Sequence, residues 1–387
     1  MKPDPVAAKP AFRIASRFEG VDISIVRQIS ALATPLTINL GLGESNVLPD
    51  DTLRALAIRA AHSGSWRYTP NAGSQSLRNA IGEHLAPGLD PATEICVTAG
   101  TQEGLYSILQ TFVDQGDEVL VPDPGFLYDV LIRIAGGEPR YYPLDPAGWR
   151  LDLDELTKRI TDRTRAILVN SPSNPTGAVI DEPTLRALAE ITEERGILVI
   201  SDEVYSEIYY ENKPASMLGM GDHIIVLGGM SKSHSMTGLR LGWALGHQSL
   251  MTPVIRAHQY VTTCASTFSQ TLAELVLQNR EWNTAWLHRV RSQLRAQRDA
   301  ALEAVDEHLH VPLPKPAGAF YLFVPVPACQ SLPLARALVE EASVVTIPGI
   351  AFGAGGEGFL RIACAASIGD IHKGIGAIGN YFAKTLM

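Results

Sequence analysis

The sequence predicts an α/β fold: a large three-layer α/β/α domain on a mostly parallel sheet, followed by a smaller α+β C-terminal domain. Three observations carry this. From Glu94 onward, short apolar runs alternate with helical stretches of about a dozen residues, the pattern of strands joined by crossover helices. Gly100–Thr101, Asn170–Gly177, Asp202–Tyr205 and Lys232 each fall just after such a run. That is the carboxyl end of a strand, where open α/β sheets bind ligands. Third, residues 315–387 have a different make-up, strand–helix–strand–strand–helix, without the earlier alternation.

Taken in order, residues 1–12 are proline-rich and read as a tail. INLGLG at 38–43 reads as a short strand ending in glycines. DTLRALAIRAAH at 51–62 has helical periodicity, with Asp50 or Asp51 as its N-cap. SWRYTPNAG is turn chemistry and 74–86 is again helical. Then come EICVTAGT (strand), QEGLYSILQTFV (helix), EVLVPDPG (strand), FLYDVLIRIAG (helix), RYYPL (strand) and LDLDELTKRI (helix). RAILVNSPSNPTG (strand), PTLRALAEITEERG (helix) and ILVISDEVY (strand) follow. After Gly246 the chain is mainly helical, with a long helix over roughly 282–308 whose polar face is rich in arginine. KPAGAFYLFV, SVVTIPG and GFLRIACA read as strands of the second domain. The boundaries expected are 1–37 for an N-terminal arm, 38–280 for the large domain, 281–310 for a connecting helix and 311–387 for the small domain. No internal repeat is visible.

The net charge of −9 argues against nucleic acid or an anionic membrane as partner, while leaving room for a local site for a small anion. Cys96, Cys264, Cys329 and Cys364 form no CxxC pair, so buried thiols in a reducing compartment are expected rather than disulfides or zinc, and no metal site is predicted. The N-terminus lacks an apolar signal core and no run of about 20 apolar residues suggests a membrane span. The expected location is the cytoplasm.

The most informative stretch is IIVLGGMSKSHSMTGLRLGW at 224–243. A buried strand runs through Gly228 and Gly229 to Ser231 and Lys232, and Arg240 follows eight residues after the lysine. A lysine that is partly desolvated and near another cation has a lowered pKa and a nucleophilic amine. An arginine grips phosphate through two parallel bonds. Amine and phosphate grip together are what pyridoxal 5′-phosphate requires. On its own a lysine at a strand exit is most often a solvated surface residue, so the other motifs decide.

Tyr68 in YTPNAG, NSPSNPTG at 170–177, SDEVY at 201–205, SKSHSMTGLRLGW at 231–243 and GFLRIACA at 358–365 together resemble the class I/II aminotransferases, which are fold type I pyridoxal-phosphate enzymes. The resemblance covers about residues 38–385, in motif order and spacing. It implies Lys232 as the internal-aldimine lysine and later proton carrier, Asp202 on the pyridinium nitrogen, and Tyr205 and Asn174 on the ring oxygen. Phosphate is expected at Arg240, Ser231 and the turn Gly100, Thr101, Gln102, a helix N-terminus suited to a dianion. Phe126 is implied as the aromatic stacked on the ring. Arg361 and Gly43, with Asn174, are implied contacts of the substrate α-carboxylate. Tyr68 is implied to reach the active site of the second subunit of a homodimer. The reaction implied moves an amino group between an L-amino acid and a 2-oxo acid through pyridoxamine phosphate.

Each residue has a plainer reading. Asp202 could cap a turn, Asn174 could form an Asx-turn before Pro175, and Phe126 could be a core aromatic. Arg361 between Leu360 and Ile362 is different, because a charge within a strand needs a partner or a ligand. Two departures stand out. Gly229 replaces a serine common in the family, removing one phosphate hydroxyl. Thr101, Gln102 and Glu103 include no cation, which disfavours a specialist for acidic substrates. The alternative reaction is that of a C–S β-lyase, which uses the same lysine, aspartate and arginine. Gly228–Ser233 lacks the second glycine of a phosphate-binding P-loop, and GAGGEG at 353–358 fits a dinucleotide fingerprint in letters but not in context. A DNA-binding segment is not expected in the short, non-basic N-terminal region.

Overall fold

The computed structural model describes residues 12–63, 66–327 and 330–385. Most of the expected N-terminal tail, and Cys329, lie outside these residues. In chain order the helices are α1 (Ile25–Ser30), α2 (Asp51–His62), α3 (Gln75–His84), α4 (Thr101–Phe112), α5 (Tyr128–Ala135), α6 (Leu153–Thr157), α7 (Glu182–Glu194), α8 (Gln248–Thr262), α9 (Thr267–Gln278), α10 (Arg280–His308), α11 (Ser331–Ala342) and α12 (Ile368–Thr385). The strands are β1 (Ile38–Asn39), β2 (Ile95–Thr98), β3 (Glu118–Asp123), β4 (Glu138–Asp145), β5 (Arg150–Leu151), β6 (Thr164–Asn170), β7 (Leu198–Asp202), β8 (Ile224–Gly229), β9 (Gly242–Gly246), β10 (Tyr321–Pro325), β11 (Val344–Val345), β12 (Ile347–Pro348) and β13 (Phe359–Ala363).

The large sheet has eight strands in the order β2-β9-β8-β7-β6-β3-β4-β5. The run β8-β7-β6-β3-β4 is parallel, β9 is antiparallel to both neighbours and β5 is an antiparallel edge. Successive strand residues face opposite ways, and here both faces are buried. Val97, Leu120, Ile167, Val199 and Val226 enter one core with α2, α3, α7 and α9. Cys96, Val119, Ala166, Ile200 and Ile225 enter another with α4, α5 and α8. These are the three layers the alternation predicts.

A third core collects β10, β12 and β13 with α11, α12 and the last turns of α10. SVVTIPG is not one strand. It breaks at Thr346 into β11, which pairs with β1, and β12, which pairs with β13. Ile38 and Asn39, expected at the start of the large domain, therefore pair within this C-terminal part. INLGLG pairs only through those two residues, because its glycines leave the strand to approach the site. The expected helix at 151–160 shortens to α6, capped by Asp152. GAGGEG forms no dinucleotide loop: the Gly355 N–H donates to both carboxylate oxygens of Asp123, at 2.8 and 2.9 Å. A Cβ on Gly353, at φ +111°, would overlap that carboxylate.

Asp50, not Asp51, caps α2. Its Oδ1 accepts from the Leu53 N–H at 2.9 Å, and its Oδ2 accepts from Trp282 Nε1 on α10 at 3.1 Å. Loss of a cap costs about 1 kcal/mol, and the indole N–H also loses its acceptor. Asp50→Ala is expected to lower unfolding stability by about 1–2 kcal/mol in urea titrations. An unchanged midpoint would show that neither bond matters.

Candidate functional site

One glycine-bearing segment, residues 40–43, gathers two of the cations of the site. The Gly41 carbonyl accepts from Arg361 Nη2 at 2.6 Å, and the Gly43 carbonyl accepts from Lys232 Nζ at 2.7 Å. The Leu40 carbonyl accepts from the Ala363 N–H at 2.6 Å, fastening the segment to β13. Glycine is needed at both positions for space. A Cβ on Gly41 would come within 2.8 Å of Val345 Cγ1, and one on Gly43 within 2.8 Å of the Tyr321 hydroxyl.

Arg361 lies on β13 and is 2% exposed. Its Nη1 donates to Asn174 Oδ1 at 3.0 Å, and its guanidinium sits 4.5 Å from the Tyr321 ring and 5.0 Å from the Phe352 ring. Among the described residues it has no carboxylate partner, and its buried Nε has no hydrogen-bond partner. Burial pulls the guanidinium below its ordinary pKa, with the two tyrosines Tyr321 and Tyr205 opposing. A buried cation held by neutral groups, with Nε unpartnered and further N–H groups to spare, suits an anion, since an unpaired buried charge is otherwise costly. Asn174 is thus turned toward Arg361 rather than folded into an Asx-turn.

Lys232 follows β8 and is largely buried. Burial first, then Arg361 and Arg240, pulls its amine down to about 8 against the opposing pull of Glu44 and Asp202. Asp202 ends β7 and is itself buried. Burial pushes its carboxyl above the ordinary value, opposed by bonds from the Tyr128 hydroxyl at 3.0 Å and the Val204 N–H at 3.3 Å. Tyr205, three residues on, places its hydroxyl 2.8 Å from that of Tyr321.

The third part is a cradle at the start of α4. Gly100 is the N-cap at φ +87° and offers no side-chain cap to the first helical N–H groups, among them those of Thr101 and Gln102. The guanidinium of Arg240 lies so close that a Cβ on Gly100 would be 2.8 Å from Nη2. A cation beside the positive end of a helix is electrostatically unfavourable by itself and favourable around an anion. Behind the turn, Glu103 receives the Ala99 N–H at 3.0 Å, the Ser107 hydroxyl at 2.7 Å and His258 Nδ1 at 3.0 Å.

Gly229 sits where β8 meets β9, opposite Gly242. A Cβ there would lie 3.1 Å from the Leu241 carbonyl oxygen and 3.2 Å from Gly242 Cα, so the glycine at this departure from the family pattern serves tight strand packing. Ser231 flanks Lys232 and is partly buried. Phe126 is 36% exposed and meets Tyr128 edge to face with centroids 6.1 Å apart. Tyr68 is 86% exposed, and nothing places it in this chain's own site. Sequence reasoning did not assign Tyr128, Glu103 or His258. Tyr128 stands only two residues beyond Phe126, but its partner Asp202 is 74 residues away, and no local pattern announces such a bond.

The fold is that of the fold type I pyridoxal-phosphate enzymes. The family profile "Aminotransferase class I and II" matches residues 35–378. The chain is 36% identical over 380 residues to a probable aspartate aminotransferase of Methanocaldococcus jannaschii, covering 95% of this chain and all of that one. It is 34% identical to aromatic-amino-acid aminotransferase 2 of Thermococcus litoralis, covering 92% and 94% of the two chains. Among solved structures, aspartate aminotransferase of Thermus thermophilus with maleate superposes with a TM-score of 0.91 at 30% identity, covering 95% of this chain and 99% of that one. The chain belongs to the class I and II aminotransferase family. It is a pyridoxal-phosphate-dependent aminotransferase, and transamination rather than C–S β-lysis is its reaction.

The lowered amine carries a prediction. A lysine amine attacks only when unprotonated, so in the cofactor-free protein reductive methylation of Lys232 should rise with pH to a midpoint near 8. Arg361→Leu removes a cation that favours the neutral amine, so that midpoint should move upward. Peptide mass spectrometry reads both. A midpoint at the value of exposed lysines would contradict the burial argument.

Proposed function

We propose that Lys232, Asp202, Tyr205, Asn174, Arg240 and Arg361 are the working residues of this aminotransferase, each in the place its geometry suits. The residues fit pyridoxal phosphate. Lys232 supplies a nucleophilic amine at a strand end, Asp202 a buried carboxylate for the ring nitrogen, and Tyr205 and Asn174 polar groups for the ring oxygen. Arg240, Ser231 and the amides from Gly100 to Gln102 make the phosphate grip, and Phe126 covers the ring. When bound, the cofactor withdraws electron density from the substrate Cα and so acidifies its C–H bond.

The chain's own contribution then follows from charge and position. Arg361 receives the substrate α-carboxylate, as a fork matched to two oxygens. Gly43 offers backbone to the same carboxylate. The Tyr321 and Phe352 rings lie 4.5 and 5.0 Å from the guanidinium. Lys232 first holds the cofactor. Freed from the cofactor, its Nζ would be the base that takes the substrate Cα proton and the acid that gives it back. An amine near pKa 8 is about one-tenth unprotonated at pH 7, enough for a base that must also act as an acid. The Gly43 carbonyl, 2.7 Å from Nζ, orients the amine.

The observation that carries this reading is the convergence of Lys232 and Arg361 on one backbone segment, each held by a carbonyl rather than neutralised by an acid. The amino acid accepted is not set by these groups, and the relatives named above carry aspartate and aromatic names. We also read the protein as a cytoplasmic homodimer in which Tyr68 reaches the neighbouring active site. The high exposure of Tyr68 together with Trp66 and Tyr260 supports a covered surface there. No helix among the described residues is long and apolar enough to cross a membrane. The division at residues 38, 281 and 311 belongs to the same reading, with α10 bridging the two cores.

Four measurements test this. Borohydride reduction should fix the cofactor at Lys232, and a label elsewhere would overturn the assignment. Single-turnover mixing with a panel including L-aspartate and L-phenylalanine should give stoichiometric 2-oxo acid and pyridoxamine phosphate. Arg361→Leu should raise KM roughly 10- to 100-fold, the worth of a charge-assisted pair. Mixed dimers of Lys232→Ala with Tyr68→Ala should regain activity, because one site then holds both native residues. No recovery would argue against shared sites.

A further inference from the structure

We propose that Tyr321 is a positioning residue of the transamination site, whose hydroxyl acts through Tyr205 to set the proton affinity of the nitrogen joining Lys232 to the cofactor. This rests on the reading of Lys232 and Tyr205 just given.

Tyr321 opens β10 and pairs with Ala363, while Arg361 lies two residues back along β13. In an antiparallel pair such diagonal neighbours share a face, which puts the Tyr321 ring under the guanidinium at 4.5 Å. The ring also meets Tyr205 edge to face, with centroids 5.7 Å apart. Its hydroxyl is fixed from two sides. It lies 2.8 Å from the Tyr205 hydroxyl, and it fills the space a Cβ on Gly43 would need. Gly43 in turn holds Lys232. Tyr321 is 1% exposed and Tyr205 3%, so water does not compete for this bond.

A tyrosine hydroxyl has one proton to give. When Tyr205 gives its proton to the ring oxygen of the cofactor, the bond between the hydroxyls can persist only with Tyr321 as donor. A hydroxyl that accepts becomes a better donor, because chains of hydrogen bonds polarise one another. The ring oxygen would share its negative charge among Tyr205, Asn174 and the protonated imine nitrogen. A stronger Tyr205 donor satisfies that oxygen without the imine proton, so the imine gives up its proton at lower pH. Tyr321 thus favours the unprotonated imine without touching the cofactor.

The test is a double-mutant cycle on the loaded enzyme, read by the pH titration of its visible absorbance. Tyr321→Phe should raise the midpoint by about half to one pH unit, the worth of one hydrogen bond. In a Tyr205→Phe background the same change should move the midpoint by little, since the path is gone. KM should change less than about twofold in Tyr321→Phe, because the ring stays beneath Arg361. A shift equal in both backgrounds, or no shift, overturns the proposal. A KM rise together with an unmoved midpoint would mean that Tyr321 only packs. If the wild-type enzyme shows no titratable chromophore, or borohydride does not label Lys232, the reading beneath it fails instead, so the two failures are told apart.

Discussion

The site depends on holding two cations close together, largely out of water, without neutralising either. Lys232 and Arg361 would each be quieted by an adjacent carboxylate, and the lysine would then stay protonated. The chain uses carbonyl oxygens of Gly41 and Gly43 instead. A carbonyl orients a cation while leaving its charge available. The repulsion between the two cations and their burial together keep the amine near 8. The buried acid Asp202 is engaged by Tyr128 and Val204 rather than paired with the lysine.

This arrangement draws on two of the sheets, the large parallel one and the three-stranded antiparallel one. The parallel sheet delivers Asp202, Asn170 and the strand leading to Lys232 along one edge, because parallel neighbours end together. The small antiparallel sheet delivers Arg361 and Tyr321 from neighbouring strands. The segment 40–43 follows β1 and lies in neither ladder. It therefore has carbonyls to spare for both cations, whereas a residue within a ladder has its carbonyl already engaged.

Much of this was legible in the sequence, and for identifiable reasons. The large sheet was visible because alternating strands and crossover helices leave a periodic trace. Lys232, Asp202 and Asn174 stood out because each follows a buried strand, and Arg361 because a charge interrupts an apolar run. What stayed hidden depends on chain segments far apart in sequence. The bond between Tyr128 and Asp202 spans 74 residues and that between Tyr205 and Tyr321 spans 116. The break of SVVTIPG at Thr346 sends its halves to different partners, which no local propensity encodes. Gly229 looked like a lost hydroxyl, yet the close approach of β9 is what it accommodates.

Helix α10 ties these parts together. Near its start, Trp286 Nε1 donates to the Ser233 carbonyl at 2.9 Å, beside Lys232. Farther along, Arg298 Nη1 donates to the Pro316 carbonyl at 3.0 Å, on the approach to Tyr321. The α-helix between these residues rises about 1.5 Å per residue. It works as a ruler laid across the molecule, setting how far Lys232 stands from the strand pair that carries Arg361 and Tyr321.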